Sequence, residues 1–350
     1  MLKKYYIKRL LYLIPHWFFI ILIIFLLSKA SHRDAVAAKL RQSGIEEDGS
    51  LRYQQVYEDQ KIKLGFHLPY FYFSIQDAKT ESGFRYPKLA FHGRKCQFHQ
   101  WLKGLLSGDL GNSYISNKPV GKIIWSALTW TIPIALAALL VSILIAFPLA
   151  RRLSQQSNKY VEGFLMTFYA IPTFWLATLI LVFLTNNYYG IQVFDLSVKY
   201  GSASGFMNKF QRVLPMIICM IVADLAYLTG VYKTSILKEN AKPYYYTALA
   251  KGLSKAEAIK KHTSKNALIA ISTILVGAIP SALAGSVILE TIFNIPGIGR
   301  VLYLAVQQGD QPVLYAIVLL IGIFTSLAYL LGDILIARIN PKADLAATEL

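Results

Sequence analysis

Three carboxylates stand in or beside long apolar stretches of the sequence, namely Asp224, Glu290 and Asp333. A charged side chain at the middle of a bilayer costs about 2.5–3.5 kcal/mol on insertion scales, so such groups face a helix bundle or a water-filled path. Asp224, near the middle of its stretch, and Glu290 are therefore candidates for a substrate path. The alternatives are a bond from Asp224 to a partner helix and structural roles for the other two.

No other residues have the spacing of a catalytic or metal site. The sequence lacks the G-x-x-x-x-G-K-[ST] loop that binds ATP, and its six histidines and two cysteines show no ligand spacing. We therefore predict a chain that is not an enzyme and binds no metal or cofactor directly. A transporter without its own energy motif must use an ion gradient, act passively or borrow an ATPase.

The polar segment between two of the apolar stretches carries clear local signals. Pro243 suits the first turn of a helix, and Gly252 is typical of the position that follows a helix. Ser254 and Glu257 have the spacing of a capping box that starts a second helix. Two short helices are thus predicted to meet at Gly252, and we call this helix–glycine–helix unit the elbow. It could dock on a partner protein or lie on acidic membrane lipid through its lysines.

Six apolar stretches approach or reach the roughly 20 residues that a helix needs to cross a membrane. Backbone groups in lipid must be satisfied within the segment, so each stretch is predicted to be a helix. The first stretch is longer than the apolar region of a signal peptide, so it is predicted to be a retained span. The stretches are Leu10 to Leu27, Thr131 to Ala150, Phe164 to Leu184, Val213 to Tyr232, Ala267 to Leu289, and Val313 to Ala337.

The positive charge of the chain indicates its orientation. A net charge of +17 would suggest nucleic acid in a soluble protein, but the basic residues here flank apolar stretches, so no nucleic-acid partner is predicted. With the N-terminus inside, the cytoplasmic segments hold 17 of the 36 lysines and arginines and the two short outer loops hold 4. The long first loop holds the rest and translocates regardless of charge. Both termini are therefore predicted to be cytoplasmic.

These features divide the chain into four parts. The predicted boundaries are a first transmembrane helix at 1–28, an extracytoplasmic loop region at 29–128, a transmembrane core at 129–342 with a cytoplasmic loop at 233–266, and a cytoplasmic tail at 343–350. The loop region has few aliphatic residues and so little material for a core of its own. Short helices and loops over the outer mouth are predicted there.

Motifs in order along the chain resemble the dipeptide/oligopeptide/nickel permease family of binding-protein-dependent ABC importers. The elbow sequence YYYTALAKGLSKAEAIKKHTSKNAL is similar to the family's cytoplasmic EAA-type loop. ETIFNIPGIGR, from Glu290 to Arg300, is similar to the family's stretch after the fifth span, and GDLGNSY to its outer-loop signature. Each motif alone is weak, but their order and spacing are specific. The family usually has a basic residue where this chain has Leu249. Residues 76–97 are predicted to be an insertion relative to the family's outer loop.

The resemblance implies an all-α membrane protein with six transmembrane helices and a type I ABC importer-like permease fold. It also implies partners: ATPase subunits that bind ATP, a second and different permease subunit, and an extracytoplasmic binding protein that delivers an oligopeptide. Location in the cell inner membrane follows. The residues that the resemblance assigns to the ATPase contact are Tyr246, Ala248, Ala250, Lys251, Gly252 and Leu253.

Two functions of other classes stay open from the residues alone. An ion-coupled secondary transporter could use the three intramembrane carboxylates, although no inverted repeat is visible. A scaffold or receptor could bind a partner through the outer loop region, where residues 76–97 would be the segment to test.

Overall fold

The structure is a computed structural model that describes residues 2–30, 36–37, 40, 44–45, 49–63, 65–79, 85–185, 190–194, 206–268, 271–272, 274, 276–277 and 286–339. The chain divides into two compact units. The larger unit comprises Met1–His16, Ser126–Tyr303 and Ile321–Leu350, and the smaller unit comprises Trp17–Trp125 and Leu304–Leu320.

Helices make up most of the described chain, and one pair of strands lies in the smaller unit. In chain order the elements are α1 Leu2–Ala30, α2 Leu51–Lys63, β1 Phe73–Lys79, β2 Arg85–Phe91, α3 Gln97–Leu106, α4 Val120–Gln155, α5 Lys159–Ala170, α6 Thr173–Leu184, α7 Phe206–Asn240, α8 Pro243–Ala250, α9 Lys255–Ala258, a π-helix at Ile259–Thr263, α10 Val287–Ile292, α11 Ile298–Gln308 and α12 Gln311–Ile339.

Four helices of the described chain, α1, α4, α7 and α12, are long and apolar enough to cross a membrane. They contain the first, second, fourth and sixth predicted stretches, so these four helix predictions are confirmed. A bent pair formed by α5 and α6 raises the number of possible spans to five. The fifth predicted stretch, Ala267 to Leu289, lies largely outside the described residues.

The third predicted stretch is broken. Helix α5 ends at Ala170, α6 begins at Thr173, and the two are bent by 88°. Pro172 lacks an N–H group, and its ring disfavours the helical conformation at the residue before it. Ile171 is accordingly extended, with φ −73° and ψ 121°. The prediction of one continuous helix from Phe164 to Leu184 is therefore wrong.

An antiparallel hairpin joins β1 to β2, with Phe73 opposite Phe91. Their rings are 5.1 Å apart, as in a cross-strand aromatic pair. The prediction of only helices and loops in region 29–128 is therefore wrong, although the described chain is mostly helical, as the predicted fold class requires. Pro87 argues against a strand, but each strand of a two-stranded sheet is an edge and tolerates proline. The segment 76–97, predicted to be an insertion, includes most of this hairpin.

An aromatic cluster fixes α3 against α1 in the smaller unit. Phe25 of α1 and Phe98 of α3 are buried with ring centroids 5.1 Å apart, and Trp101 lies 5.7 Å from Phe25. Cys96, at the start of α3, is buried in the same cluster. Cys96 and Cys219 are both free thiols.

Small side chains line the contact surfaces of the larger unit. Ala138 of α4, Ala177 of α6 and Cys219 of α7 are fully enclosed in one cluster, together with Phe293, which follows α10. Small residues let helix backbones approach closely where lipid gives no hydrophobic drive for association. This cluster holds the helices that carry the elbow and the segment around Glu290.

Candidate functional site

The first helix of the elbow, α8, begins as the sequence predicts. Pro243 occupies its first turn, and Lys242 before it is extended. The Tyr244 hydroxyl donates a hydrogen bond to Oε2 of Glu239 at 2.6 Å. Burial, followed by this hydrogen bond, raises the pKa of Tyr244 to about 12. The tyrosine thus stays neutral and anchors α8 to the last turn of α7.

Gly252 ends α8 in a Schellman motif. Its φ of +87° lies in the left-handed region, which glycine adopts without the strain that a Cβ would cause. Its N–H donates to the carbonyl of Leu249 at 2.9 Å, and the N–H of Leu253 donates to the carbonyl of Ala248 at 3.3 Å. These two bonds fix the direction in which the chain leaves the helix.

The second helix of the elbow starts with the predicted capping box. The Ser254 hydroxyl accepts from the N–H of Glu257, and the Glu257 carboxylate accepts from the N–H of Ser254 at 3.2 Å. The bonds from Ser254 hold the pKa of Glu257 below its ordinary value. After Ala258 the chain passes through the π-helix at Ile259–Thr263, a rare turn that is common at functional sites. Sequence signals did not indicate this turn.

Ser264 joins the elbow to two long helices. The Tyr232 hydroxyl of α7 donates to the backbone carbonyl of Ser264 at 3.0 Å, and Nε of Arg151 in α4 donates to its hydroxyl at 3.2 Å. Tyr232 and Ile259 are almost fully buried in the same cluster. This junction was not predictable from the sequence. Arg151 indicated only the orientation of the chain, and Tyr232 only the end of an apolar stretch.

The predicted contact residues of the elbow fall on two sides. Tyr246 is 60% exposed, and Ala250, Lys251 and Gly252 are exposed as well. Ala248 is buried and packs into the larger unit, so it supports the elbow from within. Leu253 is half-buried. We call the first four residues the exposed elbow surface.

Glu290 is fully buried, and groups of the same unit form hydrogen bonds with its carboxylate. The Thr131 hydroxyl of α4 donates to Oε1 at 2.9 Å, and the N–H of Arg300 donates to Oε2 at 2.9 Å. The same Thr131 oxygen accepts the N–H of Ile298 at 2.8 Å. Glu290 therefore ties α4 to the turn between α10 and α11. We call this set of residues the Glu290 knot.

Close packing at the Glu290 knot leaves no room for a side chain at Gly297 or Gly299. A Cβ on Gly297 would lie 2.4–2.6 Å from the Glu290 carboxylate atoms, closer than real Cβ contacts. A Cβ on Gly299 would lie 2.8 Å from the backbone nitrogen of Val287. The glycines thus serve close packing around a buried carboxylate.

Asp224 is in a different environment. It is half-buried in α7 and has no hydrogen-bond or ion-pair partner among the residues that the structure describes. It therefore stays available to a group outside those residues, whereas the Glu290 carboxylate has its partners within the larger unit. The side chain of Asp333 lies outside the described residues.

The chain is similar to known transport proteins over the region that contains the elbow and Glu290. Residues 138–345 match the family model described as "Binding-protein-dependent transport system inner membrane component". The chain is 27% identical over 253 residues to "Oligopeptide transport system permease protein AppB" of Bacillus subtilis (strain 168), covering 71% of this chain and 80% of that protein.

Two further relatives extend the similarity. Identity is 26% over 271 residues to "Dipeptide transport system permease protein DppB" of Escherichia coli (strain K12), covering 70% of this chain and 80% of that protein. Identity is 28% over 344 residues to "Glutathione transport system permease protein GsiC" of Escherichia coli O6:H1, covering 97% of this chain and 98% of that protein. The family match includes the elbow and Glu290 itself, whereas Thr131 lies before the first matched residue.

Proposed function

Because the chain belongs to the family of binding-protein-dependent transport system inner membrane components, we propose that it is the permease subunit of an importer that takes up oligopeptides delivered by an extracytoplasmic binding protein. Membership makes it a multi-pass membrane protein of the peptide ABC permease class. The observation that carries the proposal for its mechanism is the elbow, a rigid and exposed corner joined to two long helices.

Peptide is the substrate class that the relatives support. The three relatives are named for transport of oligopeptide, dipeptide and glutathione, all of which contain peptide bonds. We propose that Asp224 contacts a cationic group of the substrate, such as a peptide amine, because this half-buried carboxylate has no partner among the described residues. Glu290 is less suited to a substrate path, since its carboxylate is enclosed and hydrogen-bonded.

ATPase subunits are the proposed partners of the exposed elbow surface. Tyr246 and Ala250 are four residues apart and share one face of α8, next to Lys251. A partner that grips this face acts on a corner whose geometry the Schellman motif fixes. Through Ser264 a movement of the elbow reaches both α4 and α7. ATP binding and hydrolysis on the partner would in this way move the spans.

The proposed number of spans and the pairing of subunits rest on the family, and the proposed orientation rests on the distribution of charge. We propose six transmembrane helices, with both termini in the cytoplasm, and pairing with a different permease subunit in the cell inner membrane. The excess of lysine and arginine in the segments assigned to the inside supports the orientation. The bent pair α5 and α6 and the incompletely described fifth stretch would supply the two spans beyond the four long helices.

Affinity purification tests the partner assignment directly. The tagged chain is isolated from its own membrane in mild detergent, and copurifying proteins are identified by mass spectrometry. We expect ATPase subunits with the unmodified chain and their loss with Tyr246→Ala or Lys251→Glu. Tyr303→Ala is the matched control, because Tyr303 is also exposed, at 40%, but lies in α11. Substrate uptake by the reconstituted complex should follow the same order.

Recovery of the chain alone, under conditions that preserve known transporter complexes, would contradict the proposal. The ion-coupled alternative would then be tested by transport without ATPase subunits, before and after Asp224→Asn. Loss of ATPase recovery with Tyr303→Ala as well would show a general folding effect and remove the special role of the elbow.

A further inference from the structure

A cavity of about 660 Å³ lies within the smaller unit. Its walls come from the end of α1, from α2, α3 and the first turns of α12, and from the turn at 109–114. Sites for small molecules typically have volumes of about 300–1,000 Å³. The elbow, the Glu290 knot and Asp224 all belong to the larger unit, so the transport proposal leaves this cavity without a role.

Lys29 gives the cavity a positive charge that has no ion-pair partner among the residues that the structure describes. Its ammonium nitrogen lies 4.7 Å from the ring centre of Phe66, 5.4 Å from that of Phe25 and 5.8 Å from that of Tyr70. These cation–π contacts hold the ammonium in place. No carboxylate of the described chain forms an ion pair with it, and its three N–H donors have no acceptor there.

The other charged residues of the cavity wall already have partners. Lys61 forms an ion pair with Glu58 at 3.0 Å. Asp109 accepts the N–H of Gly111 through Oδ1 at 2.8 Å and so shapes the turn. Lys29 is therefore the cation of the cavity wall that a ligand can neutralise.

The rest of the wall favours an apolar ligand body. Phe66, Trp101 and Leu319 line the cavity along with several tyrosines. Aromatic rings bind apolar groups, and the rings of tryptophan and tyrosine also carry a polar group that can form a hydrogen bond. The indole N–H of Trp101 has no hydrogen-bond partner within the described chain and offers a second donor beside Lys29.

We propose that this cavity binds a small ligand that carries one anionic group on an apolar body, and that Lys29 pairs with the anionic group. A carboxylate and a phosphate share the required chemistry, because both accept several hydrogen bonds from an ammonium. The ligand can thus be a short apolar peptide with a free C-terminus or a membrane lipid with an anionic head. The site does not depend on the transport proposal.

The test uses the full-length protein in nanodiscs of phosphatidylcholine. The soluble probes are N-acetyl-leucyl-leucine and its C-terminal amide, which differ only in the carboxylate. Binding is followed by isothermal titration calorimetry, which requires no substitution in the cavity wall. The lipid probe is phosphatidylglycerol, whose retention by the purified protein is counted by native mass spectrometry.

Three variants assign the effect to Lys29. Lys29→Met removes the charge, Lys29→Arg keeps it, and Lys103→Met is the control, because Lys103 is exposed on α3 and is not part of the cavity wall. We expect the amide to bind about tenfold more weakly than the acid, the size of one charge-assisted hydrogen bond. Lys29→Met should abolish this difference, whereas the other two variants keep it.

Retention of phosphatidylglycerol that is lost only in Lys29→Met would support the same site with a lipid as its ligand. The proposal is overturned if the unmodified chain binds acid and amide equally, or binds neither, and also retains no phosphatidylglycerol. If Lys29→Met does not fold, the comparison of acid with amide on the unmodified chain still decides. A negative result leaves the ATPase copurification test unaffected.

Discussion

Replacing Thr131 by valine tests the Glu290 knot, because valine keeps the shape of threonine and replaces its hydroxyl by a methyl group. That hydroxyl satisfies two buried groups at once, Oε1 of Glu290 at 2.9 Å and the N–H of Ile298 at 2.8 Å. Each buried polar group left without a partner costs about 1–3 kcal/mol, and more if it is charged. The expected loss of stability is therefore about 2–6 kcal/mol.

Thr131→Ser is the matched control. It keeps the hydroxyl and removes one methyl group, which costs about 1 kcal/mol in buried apolar surface. The two substitutions should thus differ by at least about 1 kcal/mol, with valine the more damaging although it fills the space better. An account based on packing alone predicts the opposite order.

The two free cysteines provide the assay. Cys96 and Cys219 are both fully buried, so a thiol-reactive fluorogenic dye reacts only when the fold opens. In a Cys96→Ala background the dye reports Cys219, which lies in the same unit as Thr131. By the scaling of about 2–4 °C per kcal/mol for domains of this size, we expect Thr131→Val to lower the unfolding midpoint by about 4–24 °C and Thr131→Ser by about 2–4 °C. Equal midpoints for the two variants would refute the reasoning.

Three further predictions concern single residues of the two motifs. Gly297→Ala should lower the same midpoint, because its Cβ would lie within 2.6 Å of the Glu290 carboxylate, whereas Gly121→Ala, with open space around it, should change it little. A Cβ at Gly252 meets no atom within 4 Å, but Gly252→Val must hold φ near +87°, so membrane insertion should survive while ATP-driven uptake falls; normal uptake would remove the coupling role. Because the pKa of Glu257 is lowered, its cap stabilises the elbow above the ordinary carboxyl pKa and loses this effect as pH falls through the lowered value. Hydrogen exchange in α9, corrected for intrinsic rates, should therefore rise at acidic pH, and Glu257→Gln should remove that dependence.

Local signals predicted the elbow because they act over a few residues. Pro243 presets one backbone angle, Gly252 permits another, and Ser254 reaches only three residues ahead to Glu257. The structure places each of them in its predicted role. The π-helix that follows has no comparable sequence signature, since its extra residue is accommodated by packing around Ile259.

Longer-range features were not predictable from one sequence. Thr131 and Glu290 are 159 residues apart, so neither position indicates that the other satisfies it. The prediction that Glu290 belongs to a substrate path therefore takes no account of this hydrogen bond. Pro172 was visible in the third stretch, but the length of the apolar run favoured a single helix. The hairpin was missed because the loop region has few aliphatic residues and so shows no strand pattern.

The bend between α5 and α6 limits how much membrane this part of the chain can cover. Each helix has 12 residues and is therefore about 18 Å long. With an 88° bend shared equally between them, the pair reaches only about 26 Å along the membrane normal, against about 30 Å for a typical hydrocarbon core. In the proposed topology, where this bent pair is one of the six spans, the shortfall would be a hydrophobic mismatch that thinner adjoining lipid relieves. Activity should accordingly depend on acyl-chain length, with an optimum on the short side.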